Sequence, residues 1–142
     1  MSSSNFAEAL HNDGGLFYTS VGYSMYPLVS PHQDILHIVR TEDYQIGDVL
    51  LFRNSNNQYV LHRLIKRNKK GLRFAGDHNR FRDPYVNQEA VLGKLMDITK
   101  GDKRKIVLDE EKKSRRFFYV HCFHLKAVLW FLGDLLHLRK IK

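Results

Sequence analysis

Three short stretches of this chain carry groups that could act together. Gly22-Tyr23-Ser24-Met25-Tyr26-Pro27 supplies a hydroxyl, Leu61-His62-Arg63 an imidazole, and Gly76-Asp77-His78-Asn79 with nearby Asp83 two carboxylates. A serine hydroxyl is a poor nucleophile until a base accepts its proton and a third group holds that base in place, so the chemistry such a set suits is acyl transfer. Pro27 fixes its own φ and biases Tyr26 toward extended backbone. Gly22 is expected to allow a close or positive-φ approach just ahead of the serine. A turn of that kind leaves the Ser24 backbone N–H to help bind an oxyanion. Taken singly, each group also has an ordinary structural reading. Ser24 could be a solvated turn residue beside a core Met25. His62, in an apolar run, could be a hydrogen-bonded structural histidine, and Asp77 and Asp83 could open turns. Sequence order alone does not show that these groups meet.

The elements that would have to bring them together are short. From Leu16 to about Leu108, apolar runs are broken by turn residues, and strands are expected at 35–39, 49–52, 59–65, 72–75 and 90–98. Asn54-Ser55-Asn56-Asn57 and Asn68-Lys69-Lys70-Gly71 read as hairpin connections, which gives a mainly β fold built on one curved antiparallel domain. Ahead of it, Ser4 is expected to cap a short helix holding Phe6, Ala7, Ala9 and Leu10, stopped by Gly14-Gly15. The organisation expected is therefore a polar, briefly helical segment at 1–15, the β domain at 16–108, and a linker with a carboxy-terminal amphipathic helix at 109–142.

With 142 residues, 43% of them hydrophobic, the chain suits one domain and is not of disordered composition. Its formal charge of +8 favours anionic surfaces, nucleic acid or acidic lipid alike. Cys122 is the only cysteine, so an internal disulfide and a cysteine-rich zinc cluster are both excluded. His32, His37 and the histidines of the tail lack metal-ligand spacing with a carboxylate partner, so a zinc site is not expected.

No basic start followed by an apolar run marks the first fifteen residues as a signal peptide or anchor. At the other end, Ser114 is expected to cap an aromatic, leucine-rich helix over 117–138. His121, His124, Lys126, Asp134 and His137 interrupt it, which argues against a membrane span. Lys112, Lys113, Arg115, Arg116, Arg139, Lys140 and Lys142 bracket it, as in a segment lying on an anionic membrane. Packing on the β domain or on another subunit is the other reading. The expected location is cytoplasmic or peripherally membrane-associated.

The ordered motifs resemble the serine peptidase clan of signal peptidase I and LexA-like proteins. They are Ser24-Met25, Gly47-Asp48 leading into 49–52, the run 59–65, Gly76-Asp77-His78-Asn79, and Leu92-Gly93-Lys94. Together they cover roughly residues 18–98. Bacterial signal peptidases and LexA-type proteins use a lysine base, whereas His62-Arg63-Leu64 is similar to the histidine branch, the archaeal and endoplasmic-reticulum type. The resemblance implies Ser24 as nucleophile, His62 as general base, and Asp83 as the orienting carboxylate with Asp77 in support; the choice between the two aspartates stays open. It also implies oxyanion and substrate contacts at Gly22, Tyr23 and Met25, with apolar lining from Val21, Met25 and Leu28.

Two departures shape the functional expectation. Gly22-Tyr23 stands where conventional signal peptidases have Ser-Gly, so the oxyanion would rely more on backbone N–H groups. His78 stands where the family often has asparagine. With no amino-terminal anchor evident, the resemblance implies a peptidase cutting a dedicated precursor or leader peptide, with small residues next to the cut, and needing no cofactor. A self-cleaving LexA-like regulator is an alternative, but the residues ahead of Leu16 are too few for a helix-turn-helix domain. A basic nucleic-acid-binding β domain is another, suggested by Arg53, Arg63, Lys66, Arg67, Lys69, Lys70 and Arg73 interleaved with Tyr59 and Phe74; hairpin lysines are more usually solvated, so a nucleic-acid partner is not the expectation.

Overall fold

The computed structural model describes residues 4–108, 113–122, 125, 128–129 and 132. Helix α1 (Ser4–Asn12) precedes strands β1 (Gly15–Tyr18), β2 (Ile35–Val39), β3 (Val49–Arg53), β4 (Tyr59–Asn68), β5 (Gly71–Ala75), β6 (Val91–Thr99) and β7 (Lys105–Val107), and helix α2 (Lys113–His121) follows. The seven strands form one antiparallel sheet in the order β1-β2-β6-β3-β4-β5, with β7 also paired to β6. The fold is mainly β, and the sheet is curved and unclosed. Its register shifts between His37 and Ile38, between Leu51 and Phe52, and between Leu64 and Lys66. Such irregularities bend a strand and tighten its twist, which is how an open sheet curls around a core.

Strand β3 shows why the sheet has two apolar faces. Its side chains alternate, so Val49 and Leu51 enter one buried cluster with Leu36, Ile38, Leu95 and Ile98, while Leu50 and Phe52 enter a second with Leu64, Leu72 and Phe74. A strand covered on both sides reads as a continuous apolar run, as 49–52 does. Helix α1 joins the first cluster through Leu10, which is 2% exposed. The amino-terminal segment is thus packed onto the β domain's core.

Two strands escape the sequence pattern. β1 begins within the glycine pair read as a helix stop, with Gly15 as its first residue. β7 has three residues near the end of the stretch expected to form the β domain, outside the strands expected there, and in it Lys105 and Val107 flank a single half-buried Ile106. Ser114 lies inside α2, not at its cap. The expected helix over 117–138 falls largely outside the described residues, but Leu125, Val128, Leu129 and Leu132 are helical and exposed. Among the described residues, no helix is long and apolar enough to cross a membrane.

Candidate active site

Ser24 sits in the loop between β1 and β2, and the core holds that loop firmly. Met25, Leu28 and Val29 are buried in the first cluster. Asp34, 1% exposed, accepts hydrogen bonds from the Ser30 N–H at 2.6 Å and the Gly101 N–H at 3.3 Å, and it is ion-paired to Lys100. Lys100 Nζ also donates to the Leu28 carbonyl at 3.0 Å. The β6–β7 hairpin therefore clamps the far end of the serine loop.

The near end is fixed by the turn after β5. The His78 N–H donates to the Ser24 carbonyl at 2.8 Å, and the Tyr26 ring meets the His78 ring edge-on at 5.8 Å. Gly76 is required at this junction, because a Cβ there would lie 2.6 Å from the Ser24 carbonyl oxygen. Gly22 behaves otherwise than expected: its φ is not positive, and an added Cβ would meet nothing within 4 Å. The space in front of Gly22 is open, so its backbone does not demand glycine.

His62 lies on β4, opposite Leu50 of β3 and 7% exposed. Its Nδ1 is 2.6 Å from Asp83 Oδ2, and the Phe52 ring packs against it edge-on. A carboxylate accepts, so Nδ1 carries the proton in the neutral ring and Nε2 keeps a lone pair. Asp83 is itself positioned by backbone, its N–H donating to the Phe74 carbonyl at 2.8 Å and its carbonyl accepting from Arg73 Nε at 3.1 Å.

Asp77 has a different partner. Arg63, fully buried, donates from Nε to Asp77 Oδ1 at 2.9 Å and from Nη2 to Oδ2 at 2.8 Å, while its Nη1 donates to the Gly47 carbonyl at 2.7 Å. The Tyr119 ring of α2 lies against the same guanidinium, 5.1 Å away. This buried pair ties β4 to the Gly76–Asn79 turn, and so to the serine loop. Asp48, the carboxylate of the other Gly-Asp pair, accepts from the Gln45 N–H at 2.9 Å and faces Lys94 at 3.3 Å.

Ser24 and His62 line one cavity of about 350 Å³. No hydrogen bond joins their side chains; contacts of this kind commonly tighten only around substrate. Gly22, Val21 and Met25 line the same cavity, whereas Tyr23 is exposed and outside its lining. Leu28 does not line it: it points into the core, and Val29 takes part in the wall. Three aromatic wall residues were not assigned to this site from sequence: Phe6 of α1, Tyr18 of β1 and Tyr59 of β4. Burial pushes the Tyr18 phenol above its ordinary pKa, which keeps it a neutral donor. Only the aromatic character of these positions marks them in the sequence, and their separation along the chain hides that they converge.

Among the described residues, no group of three or more His, Cys, Asp or Glu is placed to hold a metal ion. Of the basic and aromatic residues over 53–74, Arg53, Lys66, Arg67, Lys69 and Lys70 are exposed. Arg63 and Phe74 are interior, Arg53 and Arg73 lie against the Tyr59 and Tyr85 rings, and Arg67 lies against Tyr44. No protein-family model, curated protein or solved structure matches this chain.

Proposed function

We propose that this chain is a serine endopeptidase resembling the histidine-base signal peptidases, cutting a precursor or leader peptide by acyl transfer through Ser24, His62 and Asp83. The observation that carries the reading is the His62–Asp83 hydrogen bond on a ring that shares a cavity with Ser24. In the proposed reaction, Ser24 Oγ attacks a peptide carbonyl while His62 Nε2 takes its proton. The C–N bond then breaks as His62 returns that proton to the leaving amine. Water, deprotonated by the same nitrogen, hydrolyses the acyl-serine. Asp83 holds the ring's tautomer and stabilises the imidazolium. Backbone N–H groups around Gly22, Tyr23, Ser24 and Met25 are the proposed donors to the oxyanion. Asp77 has a structural role in this scheme, through Arg63.

A peripheral membrane contact is part of the proposal. The spacing of Leu125, Val128, Leu129 and Leu132 places these exposed residues on one helical face, and basic residues bracket the segment in sequence. The peptidase reading is tested by incubating the protein with a defined mixture of synthetic peptides and mapping products by mass spectrometry. Cleavage of internal bonds by the wild type, lost in Ser24→Ala with an unchanged circular dichroism spectrum, is the expected result. Undiminished cutting by Ser24→Ala would overturn it.

A further inference from the structure

The cavity beside Ser24 is walled mainly by carbon. Phe6, Tyr18, Met25, Val29, Leu51 and Tyr59 contribute to it, and none of its lining residues is Asp, Glu, Lys or Arg. A charged side chain entering such a space would lose hydration and meet no Asp, Glu, Lys or Arg counter-ion in the lining, which is unfavourable. Its size is equally selective. A group the size of one water needs roughly 10–15 Å³ of such space, so a methyl group would leave most of this volume of about 350 Å³ unfilled.

The wall supplied by Phe6 is fixed. Its ring meets Tyr18 edge-on at 5.0 Å and Tyr59 at 5.3 Å. The helix that carries it is anchored by buried Leu10 and by a 2.8 Å hydrogen bond between the His11 ring and Arg40. Arg53 donates to the Tyr59 hydroxyl at 2.8 Å and holds that ring in turn. The pocket is thus held in shape by contacts within the chain, among residues of α1, β1 and β4.

We infer that this cavity is a recognition pocket for one large, uncharged, apolar side chain of the peptide, with Phe6 of α1 as a specificity-determining wall beside the Ser24 hydroxyl. The inference rests on the acyl-transfer reading for what the bound residue is for. It departs from the small residues that the resemblance implies next to the cut. Helix α1 becomes a working part of the substrate site.

The test separates pocket from chemistry by using Ser24→Ala protein. N-acetyl-leucinamide and N-acetyl-alaninamide are titrated while the aromatic NMR signals of Phe6, Tyr18 and Tyr59 are followed. The leucine compound is expected to bind about tenfold more tightly or better, with shifts at all three rings. Phe6→Ala should erase the preference; Phe6→Leu, which keeps an apolar anchor for α1, should reduce it. Equal affinity for the two amides, or an undiminished leucine preference in both folded Phe6 variants, overturns the pocket. If the leucine preference follows Phe6 while the wild type cuts no peptide, the pocket stands and the peptidase reading falls.

Discussion

Asp83 faces a histidine and Asp77 faces an arginine, so neutralising each carboxylate has a different consequence. Asp83→Asn removes the acceptor that fixes the His62 tautomer, and it should lower kcat by up to about 10⁴-fold with little loss of stability. Asp77→Ala leaves a fully buried guanidinium without its counter-ion. Breaking such a pair costs about 3–5 kcal/mol, which denaturant titration would register as a large fall in midpoint. If the two variants exchange these outcomes, the roles assigned here are reversed. His78 touches the serine loop through its backbone N–H, a contact that His78→Asn retains. Cleavage should therefore persist in that variant, because the proposed base is His62.

Elements matter here through what they fasten. The serine loop is held by the turn after β5 at one end and by the β6–β7 hairpin at the other. Gly76→Ala forces a Cβ against the Ser24 carbonyl oxygen, so it should depress peptide cleavage even if the protein still folds, as read by activity beside circular dichroism. Leu10→Ala should cost about 2–5 kcal/mol by opening a cavity under α1; a negligible change in the thermal midpoint would mean that α1 is not part of the core. The central strands were legible because 35–39, 49–52 and 59–65 carry dense apolar runs bounded by turn residues. β7 was not, since a three-residue strand with one half-buried side chain leaves no period to read. In the site, the motif order pointed to Ser24, His62 and two candidate carboxylates, but which aspartate met the histidine depended on the β4–β5 register and the turn beyond it. Phe6, Tyr18 and Tyr59 meet only through tertiary packing, so no local signal could have joined them.

At the scale of the whole molecule, the charge of +8 and the exposed residues Leu125, Val128, Leu129 and Leu132 bear on where the protein works. The protein should co-sediment with anionic liposomes, come off substantially in high salt, and lose that binding when residues beyond 122 are removed. Equal partition onto neutral vesicles would remove the electrostatic part of that account. The fold's main consequence is that the loop carrying Ser24 and the strand carrying His62 line one cavity, and the reactivity of the Ser24 hydroxyl tests the proposed role most directly. The measurement is the rate at which a fluorophosphonate, whose phosphorus is attacked by an activated serine with loss of fluoride, modifies the protein, with the site located by peptide mapping. The wild type should be labelled at Ser24. Labelling should slow by on the order of 10³-fold or more in His62→Ala, and the Asp83→Asn and His62→Ala effects should fail to add, as expected of groups acting as one unit. Labelling at another residue, or at Ser24 at the same rate with and without His62, would contradict the account.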